Sequence, residues 1–281
     1  MKLLRKIQSI IPTYQKHGID GLFYAILKNL KLNTKFVSIL EKKKYYLEKR
    51  IIKITNKTVI QGIYKSTKLI CESHWGGFDN SSKLLGIYEK QVQEKILELQ
   101  KKFKLKYFIN FGAGDGYHAL GLLKNDIFDY AYVFEINNRG KKIIYENSKI
   151  NNLENKIKIF GKANLVELQE NLDNVKMRQS LFLIDIEGEE FKMLNEENIS
   201  ILKESILVIE NHSFLSKNED VKKFFELIKK YYNLEILNNG SRNPYNIKEI
   251  DDFDDDEKWL MMSENRKQTM DWLILVPKMK L

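Results

Sequence analysis

The chain contains few of the residues that mark secreted, metal-rich or membrane-spanning proteins. Its 281 residues include one cysteine, Cys71, and four histidines. A single thiol excludes an intramolecular disulfide, and one thiol with four scattered histidines argues against a zinc cluster. No apolar run is long enough to span a bilayer, and the first residues lack the apolar core and cleavage site of a signal peptide. We therefore expect a cytoplasmic protein.

Positive charge is concentrated in the front third of the chain. Residues 1–106 carry 23 Lys and Arg against 8 Asp and Glu, a net charge of +15, which leaves −6 for the remainder. Such a segment either serves an anionic partner or is a set of solvated helix faces. Amphipathic helices predicted at residues 3–11 and 21–30 leave peripheral membrane contact open. The alternation of aromatic and basic residues typical of RNA binding is missing, so there is no strong nucleic-acid signature.

From residue 101 onward, apolar runs alternate with amphipathic stretches, a pattern typical of β-α units feeding a mainly parallel sheet. Seven strands are predicted, at 106–111, 130–136, 156–160, 180–186, 206–210, 234–237 and 272–276. The last two, separated by an acidic loop at 251–257, fit an antiparallel C-terminal hairpin. This is the Rossmann-like plan of class I methyltransferases, predicted for residues 101–281.

Residues 1–100 are predicted to form a separate extension, mainly helical with a small β element. Short alternating runs at 50–54, 58–64 and 68–71 suggest the β element, and a long helix is predicted at 83–103. The segment His74-Trp75-Gly-Gly-Phe78 is a candidate substrate loop in which Trp75 stacks on a sugar. A turn whose Trp packs on the domain is the alternative.

The strand at 107–111 leads directly into the glycine turn Gly112-Ala-Gly114-Asp115-Gly116, which is followed by a helix. Glycines let the backbone approach a ligand, and the helix N-terminus offers free N–H groups. A dinucleotide fingerprint needs its third glycine where Tyr117 stands, so the spacing favours S-adenosylmethionine over NAD. A tight turn without a ligand is the structural alternative. Glu135, about 20 residues further on at the end of the second strand, is placed to accept hydrogen bonds from a ribose diol.

Polar residues follow the fourth and fifth predicted strands, where parallel strands bring their carboxyl ends to one crevice. They are Asp185, Glu187, Glu210, Asn211 and His212. His212 is the first candidate base for a hydroxyl acceptor, because its unperturbed pKa of about 6.5 lies near the operating pH. Asp185 is the second candidate base, or orients the substrate. A third hypothesis is that Asp185, Glu210 and Asn211 bind Mg²⁺.

Several of these segments together resemble the FkbM-type methyltransferases. The matching pieces are INFGAGDG, YVFEIN, the Ala163-Asn164 turn, LFLIDIEGEEFKML, VIENH and the closing RKQTMDWLILVP, between residues 101 and 277. The upstream segment 83–89 also resembles one that precedes the domain in some relatives. The resemblance implies S-adenosylmethionine-dependent methylation, commonly of a hydroxyl on a sugar, a glycan or a small metabolite.

Carried onto this chain, the resemblance implies a set of cofactor-binding residues: Asn110, Gly112, Gly114, Asp115, Gly116, Glu135, Ala163 and Asp185. His74, Trp75, Glu187, Glu210 and Asn211 are substrate candidates. One position departs from the family, which usually has an acid where this chain has Asn110. Asp115 is the candidate to supply that carboxylate to the cofactor's ammonium. A nucleic-acid- or membrane-surface-binding protein, or an RNA methyltransferase, is the alternative function.

Overall fold

The computed structural model describes residues 18–19, 39–72, 78–171, 177–264, 266 and 270–278. The chain divides into two compact units, Met1–Tyr46 and Leu47–Leu281. Residues 47–100 thus belong to the unit that contains the sheet, whereas the sequence placed a boundary near residue 100. The helices predicted at 3–11 and 21–30 lie outside the described residues, as do His74 and Trp75. None of the helices in the described part of the chain is long and apolar enough to cross a membrane.

Regular elements follow one another in the order expected for alternating helices and strands. The helices are α1 (Ile39–Thr55), α2 (Asn80–Leu84), α3 (Lys90–Phe103), α4 (Tyr117–Lys124), α5 (Asn138–Asn151), α6 (Leu165–Asn171), α7 (Glu190–Met193), α8 (Glu196–Leu202), α9 (Asn218–Tyr231) and α10 (Asp255–Met261). The strands are β1 (Tyr107–Phe111), β2 (Tyr130–Phe134), β3 (Ile157–Phe160), β4 (Ser180–Ile184), β5 (Ile206–Glu210), β6 (Tyr232–Leu237) and β7 (Trp272–Pro277).

The seven strands form one sheet in the order β3-β2-β1-β4-β5-β7-β6. The first five strands in the chain pair in parallel, and β7 runs antiparallel to β5 and β6. This topology confirms the predicted class I methyltransferase fold with its C-terminal hairpin. Strands β2 and β3 extend the sheet on one side of β1, and β4 and β5 extend it on the other. The resulting switch point opens a crevice at the carboxyl ends of β1 and β4.

Both faces of the central strands are buried, which explains why they are apolar without a polar alternate position. In β4, Leu181 and Leu183 belong to the apolar cluster on one side of the sheet. Phe182 and Ile184 belong to the cluster on the other side. Alternate residues of a strand point to opposite faces, so two helical layers cover the sheet.

The predicted β element at 50–71 is largely wrong. Residues 50–54 are helical within α1, and the described part of this region has one isolated bridge, between Thr58 and Lys68. Leu47, Ile51 and Thr55, spaced four residues apart, are all buried. This spacing is the helical period, and packing of that helix face decided the structure.

The predicted helix at 83–103 is interrupted between α2 and α3. Gly86 and Glu89 adopt left-handed backbone conformations, with φ of 68° and 47°. A Cβ on Gly86 would lie 2.1 Å from the carbonyl oxygen of Gln61. The chain therefore turns here because it packs closely on a neighbouring segment, a contact that no local pattern reveals.

The acidic stretch 251–257, predicted as a loop, is a loop only as far as Asp254, and its last three residues begin α10. Asp255, Asp256 and Glu257 all lie in the first turn of this helix, where carboxylates interact favourably with the helix dipole. Nearby, the Arg50 guanidinium lies 3.9 Å from the centre of the Phe253 ring. The acidic run is therefore a helix-start signal that the sequence analysis missed.

Replacement of Gly121 by Ala should destabilise the protein. Gly121 lies in α4 against the buried ring of Tyr64, and an added Cβ would come within 2.2 Å of that ring. In a helix without such a contact, Ala is more stabilising than Gly by about 1 kcal/mol. A lower melting temperature of the variant would therefore show that the steric clash outweighs this gain in helix stability. Gly161→Ala is the matched control, because a Cβ there meets nothing within 4 Å. A Gly121→Ala protein that melts above the wild type would contradict this packing.

Candidate active site

A cavity of about 1130 Å³ lies at the carboxyl ends of the central strands. Its walls come from the glycine turn, the ends of β2, β4 and β5, and two segments remote in sequence, one around residues 79–89 and one around 264–272. Typical small-molecule pockets measure about 300–1,000 Å³. The cavity therefore has room for a nucleoside-sized molecule together with a second small reactant.

The three glycines of the turn have left-handed φ values of 81°, 59° and 82° at Gly112, Gly114 and Gly116. A Cβ on Gly112 would lie 1.7 Å from the carbonyl oxygen of Asp185. Gly112 is therefore required by the close approach of β1 to the end of β4. This corrects the sequence interpretation, in which the missing side chain made room for a ligand.

Glu135 holds the glycine turn to the end of β2. Its Oε2 accepts a hydrogen bond of 2.9 Å from Gly114 N, and its Oε1 accepts one of 2.7 Å from Asn137 N. The side chain is buried and lines the cavity. An ionised carboxylate has about four lone-pair sites, so these bonds leave capacity for a ribose diol. Glu135, the carboxylate predicted to bind a ribose, therefore lies beside the glycine turn.

Asp115, the predicted partner of a cofactor ammonium, is already engaged. Its Oδ2 accepts a bond of 2.7 Å from Lys83 Nζ, and its Oδ1 accepts one of 3.1 Å from Tyr117 N. Asn110 is buried, and its Nδ2 donates to Leu183 O at 3.3 Å. These bonds fix Asp115 within the turn and, as at Glu135, use one lone pair of each oxygen, so its role toward the cofactor ammonium stays a prediction.

His212, predicted as the base, is held between carboxylates. Its Nδ1 lies 3.0 Å from Glu190 Oε1 and its Nε2 3.2 Å from Glu210 Oε2. Burial lowers the pKa of His212, but the hydrogen bonds to Glu190 and Glu210 outweigh it and raise the pKa to about 10. An imidazolium whose two N–H groups face carboxylates cannot accept a proton at neutral pH. The geometry therefore favours a positioning role for His212.

Asp185 is the acid with an open oxygen in this part of the cavity. Among the described residues its Oδ1 has no hydrogen-bond partner, and His212 Nε2 lies 3.9 Å away. Burial raises the pKa of Asp185 well above its usual range, and the negative charges of Glu210 and Glu89 add to the effect. A carboxylate with a raised pKa is a stronger base than an ordinary one. The same shift favours the protonated form of Asp185, and only the ionised form can act as the base of the second hypothesis.

A buried ion network centred on Arg266 forms the cavity wall next to Asp185. The guanidinium pairs with Glu89 and Glu210, and its Nε donates to Glu264 Oε2 at 2.8 Å. Burial opposes ionisation of Glu210, but His212 and Arg266 outweigh it and lower the pKa of this acid to about 2. The sequence analysis assigned roles to neither Glu89 nor Arg266. Their only signal was their position in the upstream and closing segments of the family resemblance.

The predicted Mg²⁺ ligands do not form a metal site. Asn211 Oδ1 accepts a bond of 3.2 Å from Ser213 N, and Glu210 faces the cations Arg266 and His212, which would repel a third cation. Donor atoms of Asp185, Glu190 and His212 do lie within 4.8 Å of one another. This set shares only Asp185 with the predicted ligands, and its metal-free state is an ion cluster around His212.

Two further predicted residues, Ala163 and Glu187, also line the cavity. Ala163 lines an apolar part of the cavity together with Phe134, Ile136 and Leu183. Glu187 is 83% exposed at the cavity wall and adopts a left-handed φ of 56°. Such strain in a non-glycine residue is common at functional sites.

No family profile matches this chain, and no curated protein matches it. Solved structures similar to it include an O-methyltransferase from Bacillus cereus in complex with SAH, 11% identical over 90% of this chain and 96% of that one, with a TM-score of 0.48. Precorrin-6y methyltransferase from Geobacter metallireducens is 14% identical over 66% and 87%, with a TM-score of 0.41. A tRNA methyltransferase from Aquifex aeolicus is 15% identical over 66% and 68%, with a TM-score of 0.40. These sequence identities and TM-scores are too low to assign the activity of any of these proteins to this chain.

The imidazolium state of His212 predicts a specific pH dependence of stability. Its pKa is raised from 6.5 to about 10 in the folded protein, so the stabilisation is complete below the unfolded value and is lost as pH rises through about 10. The gap in unfolding free energy between wild type and His212→Gln should therefore narrow between pH 7 and pH 10.5 in urea titrations. A ring that NMR shows to be neutral at pH 8 would contradict this state.

Proposed function

We propose that this protein is an S-adenosylmethionine-dependent methyltransferase of the FkbM type that methylates a hydroxyl of a sugar, glycan or small metabolite. The observation that carries the proposal is the placement of two acids in one cavity. Glu135 lies at the glycine turn, and Asp185 lies at the end of the neighbouring central strand. In this proposal Glu135 binds the nucleoside and Asp185 faces the acceptor that must lose a proton.

The glycine-turn end of the cavity fits an adenosine moiety. Glu135 is placed to accept hydrogen bonds from both ribose hydroxyls, and such bonds to a carboxylate are stronger than neutral ones. The apolar side chains Phe134, Ile136 and Ala163, which line the cavity near the end of β2, provide a surface for the base. When bound, S-adenosylmethionine supplies an electrophilic methyl group on its sulfonium.

Proton removal from the acceptor is assigned to Asp185. When the methyl carbon passes from the sulfonium sulfur to the acceptor oxygen, the C–S bond would break with its electron pair left on sulfur, and the open Oδ1 of ionised Asp185 would take the hydroxyl proton. General-base assistance of this kind contributes about 10²–10⁴-fold, and the alignment of two bound reactants contributes more. His212 is fixed by Glu190 and Glu210 and contributes a positive charge at a fixed position beside Asp185.

The basic residues 1–106 support a second candidate function, binding of a nucleic acid or an anionic membrane surface. A methyltransferase that acts on RNA would combine the two roles. Binding to RNA or to anionic vesicles with steep salt dependence, together with no binding of S-adenosylmethionine, would favour this alternative over the enzyme.

Calorimetric titration should show that the protein binds S-adenosylmethionine and S-adenosylhomocysteine but not NAD. Glu135→Gln should weaken both interactions by roughly 1–3 kcal/mol, because the charged partner of the ribose is lost while the side chain keeps its shape. Glu154→Gln, on an exposed position away from the cavity, is the matched control. Binding of NAD alone, or equal affinity in both variants, would refute the nucleoside site.

Asp185→Asn should abolish turnover while leaving the affinity for S-adenosylhomocysteine within about twofold of wild type, because the amide cannot take the proton. Turnover is followed as S-adenosylhomocysteine release in a screen of sugars and hydroxylated metabolites. His212→Gln should lower turnover less than Asp185→Asn, because it removes a charged neighbour of the base and leaves the base itself in place. Wild-type turnover in Asp185→Asn would remove this residue from the mechanism.

A further inference from the structure

Asp79 is a buried carboxylate that lines the cavity. It immediately precedes α2 and is 4% exposed. Its Oδ2 forms an ion pair with Lys83 Nζ at 2.8 Å, and neither oxygen has a hydrogen-bond partner of good geometry among the residues that the structure describes. A buried polar atom without a partner destabilises the folded protein, so each case calls for an explanation. A donor supplied by a ligand in the cavity provides one.

Position links Asp79 to the glycine turn. Lys83 Nζ bridges Asp79 to Asp115, which lies in the turn, with contacts of 2.8 Å and 2.7 Å. Lys83 is itself 1% exposed, and its ammonium lies 5.0 Å from the centre of the Tyr88 ring. The pair therefore presents a carboxylate and an ammonium side by side at the cavity wall next to the turn.

The other polar groups at this end of the cavity have partners in the protein. Both oxygens of Asp115 accept bonds, from Lys83 and from Tyr117 N. Both oxygens of Glu135 accept bonds from backbone N–H groups. Asn110 carries no charge. Among the described residues, Asp79 and Asp185 are the acids near the turn that have an oxygen without a hydrogen-bond partner, and Asp185 is already assigned to the acceptor.

We propose that Asp79 binds the ammonium group of the amino-acid end of the nucleoside cofactor, an assignment that rests on the proposed function. An α-amino acid is a zwitterion, and the adjacent charges of Asp79 and Lys83 are complementary to it. Asp79 thereby supplies the negative charge that the family usually places where this chain has Asn110. The ammonium partner has moved from β1 to the segment that precedes the sheet.

Asp79→Asn tests the assignment by calorimetry with two ligands that differ at one end. S-adenosylhomocysteine carries the amino-acid group, and 5′-methylthioadenosine lacks it. The variant should bind S-adenosylhomocysteine roughly 10- to 100-fold more weakly, as expected for loss of a charged hydrogen bond, and should bind methylthioadenosine as the wild type does. Glu48→Gln is the matched control, because Glu48 accepts a bond from Asn80 N in the same segment but does not line the cavity. Both affinities should be unchanged in it.

Each outcome has a distinct meaning. Unchanged binding of S-adenosylhomocysteine, or equal loss for both ligands, would overturn the role of Asp79 while leaving the proposed function intact. Failure of the wild type to bind either ligand would overturn both. If Asp79→Asn does not fold, the wild type gives a second measurement with an S-adenosylhomocysteine analogue that lacks the amino group. Equal affinity for that analogue would show that the ammonium is not recognised and would overturn the assignment.

Discussion

Burial of carboxylates at the carboxyl edge of the sheet is the constraint on which the site depends. Charges removed from water must be paired, and the loss of one partner costs several kcal/mol. Arg266 meets this demand by contacting Glu89, Glu210 and Glu264. These acids come from the segment before the sheet, from β5 and from the lead into β7. One guanidinium therefore fixes three distant parts of the chain around the cavity.

The same electrostatics distinguish the two residues predicted as candidate bases, His212 first and Asp185 second. His212 is bracketed by Glu190 and Glu210, which hold it as a cation. Burial and the nearby charges of Glu210 and Glu89 raise the pKa of Asp185, and they outweigh the opposite effect of the His212 cation 3.9 Å away. Their roles in proton transfer are set by neighbours rather than by the intrinsic pKa of each side chain. A polar residue at a strand end is thus only a candidate until its partners are known.

Local patterns predicted the sheet well because its strands are buried on both faces and bounded by helices. The continuous apolar runs, the glycine turn and Glu135 all follow from short-range rules of strand, turn and helix. Predictions failed where a contact between distant segments decided the structure. Gly86 approaches Gln61 too closely for the helix at 83–103 to continue, and Gly112 is required by the carbonyl of Asp185.

The amino-acid sequence was sufficient for the order of elements, the seven-stranded topology and the acids at the ends of β2 and β4. These depend on periodicity and spacing, which are properties of neighbouring residues. Only the tertiary structure brought Asp79 and Lys83 to the glycine turn and Glu89 to Arg266, since no local pattern encodes pairing across 177 residues. The charge state of a buried group depends on every charge packed around it, and that packing exists only in the folded chain.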